Sequence, residues 1–164
     1  MSYPEKFDIS NLDKFQMSIL SDFYQRRKLF DTYLNENKIE LHTCPGCSYP
    51  TLTEKGGYEI CCVCNWEDDN QDDKEADEIW GSPNSKLSLT ENRLNIGEQI
   101  ARIAEEIGGR INNNPSIVLT ILSKHDTKVS EIFKAVPEDA DLNHPIFKEY
   151  KEKGQELLRQ LVTT

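Results

Sequence analysis

The sequence predicts an α+β fold that is mainly helical, with a small four-cysteine hairpin module between an N-terminal helix and a C-terminal helical region. Three observations carry that prediction. Two cysteine pairs, Cys44-Pro45-Gly46-Cys47 and Cys61-Cys62-Val63-Cys64, fall within 21 residues, and thirteen residues separate them. Apolar residues recur at helical spacing before the pairs and again after them. The chain has 164 residues, 37% hydrophobic and 29% charged, which suits one compact domain with a sizeable core. Its expected parts are an N-terminal helical segment at 1–40, the cysteine module with an acidic loop at 41–95, and the helical region at 96–164.

Residues 9–37 read as a helix, because Phe15, Ile19, Leu20, Phe23, Tyr24, Phe30, Tyr33 and Leu34 follow the i, i+3, i+4, i+7 pattern. Ser10 with Asp13 resembles a weak capping box. Arg26-Arg27-Lys28 lies on this helix and is expected on a solvated face. In the module, Pro45-Gly46 forms a turn whose backbone N–H groups reach the sulfurs. Tyr49–Leu52 and Tyr58–Ile60 are short strand candidates, with Gly56-Gly57 as the hairpin turn between them.

Residues 67–87 lack periodicity and read as an acidic loop. Ser88-Leu89-Thr90-Glu91 is a capping box opening a helix through Leu94, Ile96, Ile100, Ile103, Ala104 and Ile107, ended by Gly108-Gly109. The β-branched run 116–122 fits a strand or a helical extension equally. Residues 128–135 suggest a short helix, and Pro145 opens a last one reaching about Leu161.

The C-x-x-C spacing lets Cys44, Cys47, Cys61 and Cys64 converge on one tetrahedral ion, which points to a structural zinc site. All five cysteines lie between Cys44 and Cys64, with none elsewhere to pair with, which argues against a disulfide framework. Cys62 reads as a small residue pointing away from the metal, with a redox or ligand role as the alternative. His42 reads as a strand residue, with ligation as the alternative.

The net charge is -10. Glu67, Asp68, Asp69, Asp72, Asp73, Glu75, Asp77 and Glu78, set against Lys74 alone, give one segment a local charge of -7. Such a balance disfavours a phosphate-binding protein, which needs clustered Lys and Arg. Trp66 followed by this segment is the candidate surface for a basic protein partner, with a solvated loop or a hard-metal site as the other readings. The order of a calcium-binding EF-hand loop is missing. His125-Asp126 and His144 could be imagined as an acid–base pair, but no nucleophile, metalloprotease or phosphate-loop motif accompanies them. No apolar run has the roughly 20 residues of a membrane span, and Met1–Lys6 lacks a secretory start, so a cytoplasmic location is expected.

The stretch Cys44–Asn95 resembles the CPCC-type cysteine-rich family, small bacterial zinc-ribbon-like proteins and domains. The first pair with Tyr49, Thr51 and Leu52 carries the resemblance. So do Gly56-Gly57-Tyr58-Glu59-Ile60-Cys61, Val63-Cys64-Asn65-Trp66-Glu67-Asp68-Asp69, and the run from Asn84 through Leu87-Ser88-Leu89, Glu91, Arg93 and Asn95. The family's inner cysteine is Gly46 here, and Cys62 stands inside the second pair; neither touches the four spaced ligands. The resemblance implies a fold module and zinc.

Three functions remain open on these grounds. The first is an acidic, non-enzymatic binding protein, concretely a bacterial immunity protein against a basic nuclease-type toxin. The second is a nucleic-acid-associated zinc-ribbon accessory factor, which would use Arg26-Arg27-Lys28. The third is a metal-dependent hydrolase.

Overall fold

The computed structural model of the protein describes residues 5–163. The reading of the N-terminal start falls mostly on residues 1–4, outside that range. The mainly helical α+β class holds. The chain forms two compact units, Met1–Gln99 and Ile100–Thr164. The described residues contain four α-helices: α1 (Lys14–Glu36), α2 (Leu89–Ile107), α3 (Pro115–Lys134) and α4 (Pro145–Gln160). Four two-residue strands make two antiparallel pairs, β1 (Glu5–Lys6) with β2 (Glu78–Ile79) and β3 (Arg110–Ile111) with β4 (Val162–Thr163).

In the first unit, α1 starts at Lys14, five residues after the expected start at residue 9. The capping box is Asp13 with Gln16: the Gln16 backbone N–H donates to Asp13 at 2.7 Å, and the Asp13 N–H donates to Gln16 at 3.0 Å. Ser10 is drawn instead to Asp8 by both its N–H and its hydroxyl. An N-cap of this kind contributes about 1 kcal/mol. The inward face of α1 carries Ile19, Phe23, Phe30 and Leu34.

Arg26 and Arg27 are also buried, which corrects the expectation of a solvated basic face; only Lys28 of the triplet is exposed. The reason is positional. They stand three and four residues after Phe23 and so share its stripe.

The expected hairpin between 49–52 and 58–60 does not form. Each cysteine pair is closed instead by its own flanks: His42 bridges Leu52 around the first, and Ile60 bridges Glu67 around the second. Gly56 still turns with φ +68, and Tyr58 follows at φ 60. The acidic segment then packs as a one-turn 3₁₀ helix at Asp73–Glu75 followed by β2. Ser88 accepts from the Glu91 N–H at 3.0 Å and opens α2 as expected.

In the second unit α2 ends at Gly108, whose φ of +65 is one that L side chains rarely adopt. The run 116–122 is helical, and it joins 128–135 in the single helix α3. The decisive signal is local: Asn114 accepts from the Ile117 N–H at 3.2 Å with Pro115 in the first turn. Helices α3 and α4 pack together around Val118, Leu122, Ile132, Leu157 and Leu158.

Candidate metal centre

Cys44, Cys47, Cys61 and Cys64 are brought together, with all four Sγ atoms within 4.8 Å of one another. They are the only group of three or more potential ligands found among the described residues; His42 and Cys62 are outside it. The Cys44–Cys64 separation is 3.7 Å and the Cys47–Cys61 separation 3.6 Å. A tetrahedron of sulfurs around a metal, with bonds of about 2.3 Å, has edges of about 3.8 Å. A disulfide needs about 2.05 Å. The donor set therefore fits a divalent metal.

Each pair forms a knuckle in which a backbone amide reaches the leading cysteine. The Gly46 N–H donates to Cys44 Sγ at 3.3 Å, and the Val63 N–H to Cys61 Sγ at 3.4 Å. Thr51 Oγ1 lies 3.0 Å from Cys61 Sγ. Burial pushes the Cys44 and Cys47 thiols well above the ordinary thiol range. Burial acts on Cys61 in the same direction, but hydrogen bonds from the neighbouring thiols and Thr51 outweigh it and hold that group well below the range. Thiols must lose their protons to ligate a metal, so metal binding releases protons and couples to folding.

Residues 43–50 are all buried, whereas Cys62 and Asn65 on the second knuckle are exposed. The first knuckle is held from outside by two helices. From α1, Arg26 donates to the Cys47 carbonyl at 3.1 Å and to Ser48 Oγ at 2.6 Å. From α2, Asn92 donates to the Gly46 carbonyl at 3.0 Å and Arg93 to the Pro45 carbonyl at 2.8 Å. There is no room for the inner cysteine of the family at Gly46. A Cβ there would meet Asn92 Nδ2 at 2.6 Å, Trp66 Cβ at 3.0 Å and Cys64 Sγ at 3.1 Å.

The acidic segment faces inward along much of its length. Trp66, Asp68 and Asp69 are buried. Asp68 accepts from the Gly56 N–H, and Asp69 from the Gln71 N–H and from Asn84. Arg27 pairs with both oxygens of Asp72, at 2.6 and 3.1 Å, and with Asp73 at 3.3 Å, while Arg93 reaches Asp73 at 2.8 Å. Asp77 accepts from Thr90, and Glu75 from the Asp72 N–H. Asp73 is exposed, and Glu67, Asp72, Glu75, Asp77 and Glu78 remain partly exposed. The cause is electrostatic: buried guanidinium groups need counter-anions, and this segment supplies them.

Sequence reasoning missed Arg26, Arg27, Asn92 and Arg93 as parts of the centre. The position of the first two on the Phe23 stripe was the available signal. Of the histidines, His125 is buried on α3 and burial lowers its pKa, while His144 Nδ1 caps α4 by accepting from the Ile146 N–H at 3.2 Å.

Fold and site together define a mainly helical protein whose largely buried four-cysteine cluster is suited to a structural metal. Residues 42–108 match the model of the cysteine-rich CPCC family. The match begins at the His42–Leu52 bridge and ends at the glycine that terminates α2. No curated protein and no solved structure matches the chain. Among the described residues, no helix is long and apolar enough to cross a membrane.

Proposed function

We propose that this is a zinc-stapled, acidic binding protein of the cytoplasm that acts without catalysis on a basic protein partner. In concrete form it is a bacterial immunity protein that neutralises a nuclease-type toxin domain. Zinc is the metal that four thiolates in a closed tetrahedron suit best, and a closed set leaves no position for a reacting water. That weighs against the hydrolase.

The carrying observation is where the charge resides. The first unit holds nineteen Asp and Glu against ten Lys and Arg, a net of -9; the second holds ten against nine, a net of -1. Three of the first unit's cations, Arg26, Arg27 and Arg93, are buried, and so are Asp68 and Asp69. Its accessible surface is therefore left with seventeen carboxylates and seven cations. Within that unit Arg27 and Arg93 are offset by Asp72 and Asp73 of the acidic segment, so the unit's net charge of -9 is carried by its remaining groups. Such a field steers a basic partner and repels nucleic acid. The burial of Arg26 and Arg27 also takes away the face a nucleic-acid reading would use.

The test is association with the purified product of the adjoining gene, followed from about 0.05 to 0.5 M salt, where screening lengths shorten severalfold. The expected result is a slower on-rate and weaker binding as salt rises, with toxicity relieved on co-expression. Absence of binding, or binding indifferent to salt, would sink the proposal.

A further inference from the structure

We infer that Arg93 is a positioning residue of the metal centre, passing its charge to the Cys44 thiolate through the Pro45–Gly46 peptide, while Arg26 and Asn92 fix the rest of the same knuckle. The geometry is a chain of two hydrogen bonds joined by one amide. Arg93 Nε donates to the Pro45 carbonyl at 2.8 Å, and the N–H of that same peptide, on Gly46, donates to Cys44 Sγ at 3.3 Å. A donor at the carbonyl end polarises the amide and strengthens its N–H as a donor. A guanidinium stays protonated at any working pH, so the polarisation is permanent.

The rest of the arginine's surroundings hold it in this task. Arg93 is 1% exposed. Its Nη1 donates to the Tyr24 hydroxyl at 3.0 Å and its Nη2 to Asp73 at 2.8 Å, so all three nitrogens are used. Its guanidinium carbon lies 4.2 Å from the centre of the Phe23 ring. The next two carbonyls of the knuckle are taken by Asn92 and Arg26, so three consecutive carbonyls are bound by side chains from two helices.

The chemistry gives a reason for this arrangement. Four thiolates around a divalent ion carry a net charge of about -2, and burying that charge is costly unless donors and cations compensate it. Groups that orient and polarise metal ligands in this way typically change metal affinity by about 10- to 100-fold when removed.

Cobalt(II) in place of the resident metal reports the thiolate directly, because its sulfur-to-metal charge-transfer bands move with the electron density on sulfur. The expected result for Arg93→Met is a roughly 10- to 100-fold loss of cobalt affinity by chelator competition. Its bands should move to lower energy, because the sulfur is no longer stabilised. Arg93→Lys, which keeps the charge but not the planar fork, should recover part of both. Tyr24→Phe removes a partner of Arg93 but leaves Nε in place, so it should lower stability without moving the bands. Folded Arg93→Met with unchanged affinity and bands would overturn the inference, as would a band shift of equal size in Tyr24→Phe.

Should the Met variant fail to fold, the native chain decides the matter when loaded with NMR-active cadmium. Scalar coupling from the metal across sulfur should then be larger to the Gly46 amide proton than to that of Val63. Equal couplings, or none at Gly46, would overturn the inference.

Discussion

The two knuckles are built alike and housed differently. Each is a C-x-x-C turn with an amide on its leading sulfur and a bridge across its base. Each is followed by a residue of positive φ, Ser48 at 74 and Asn65 at 65. Spacing alone produces that shared geometry. The first knuckle, however, is enclosed, and side chains from α1 and α2 hold three of its carbonyls. The second turns Cys62 and Asn65 to solvent, with Cys64 half-buried. The comparison teaches that a metal site can have a fixed side, which belongs to the core, and an accessible side, which faces solvent.

The largest effect that tests this asymmetry is loss of a ligand. Structural zinc in small modules contributes about 10–16 kcal/mol of apparent folding free energy, so stripping the metal with a chelator should unfold the first unit. Cys44→Ser, deep in the fixed side, is expected to reproduce that loss in metal content and helical circular dichroism. Cys64→Ser should keep metal at reduced affinity, because water can reach its half-buried position. Equal losses in the two variants would erase the distinction between the knuckles.

A smaller effect comes from the residues that follow them. Ser48→Gly removes the hydroxyl that accepts from Arg26 Nε and leaves a buried donor unpaired, a cost of about 1–3 kcal/mol, partly offset by relief of the positive φ. Asn65→Gly keeps only the relief, so it should shift stability by about 0.5 kcal/mol or less, toward greater stability. Urea unfolding of the metal-loaded proteins would show whether the two signs are in fact opposite.

How much of this was legible beforehand depends on the range of each interaction. The ligand set followed from spacing, the start of α2 from Ser88, its end from Gly108, and the start of α4 from Pro145. All are signals within a few residues. For 116–122 strand and helix stayed open because Ile117-Val118 suits both, and the continuity of α3 into 128–135 was not read. The inward acidic segment was missed for a different reason. Arg27 and Asp72 are 45 residues apart, and no local pattern announces that one will satisfy the other. Likewise, nothing local to Arg93 tells that it meets Pro45, 48 residues away. The pairing around each knuckle was misread because the same spacing also fits a hairpin between the two.

The smallest expected effect probes how the fixed side is anchored against acid. Arg27 donates to Thr43, next to Cys44, and its other nitrogens hold Asp72. Burial by itself would raise the Asp72 carboxyl, but the hydrogen bonds and charge of Arg27 outweigh it and hold the group below the ordinary carboxylate range. A carboxyl lowered on folding contributes stability that is present above its unfolded pKa, near 4, and lost as pH falls through the lower folded value. Because Asp72 is 41% exposed, solvent screening limits that contribution to about 1 kcal/mol or less. Wild type should therefore exceed Asp72→Asn in stability at about pH 6, and the gap should close below about pH 4. At each pH the two proteins share the same thiols and any metal they hold, so the change in the gap isolates the pair. A gap that stays constant with pH would mean that Arg27 is positioned by packing alone, and that the first knuckle's rigidity owes nothing to the acidic segment.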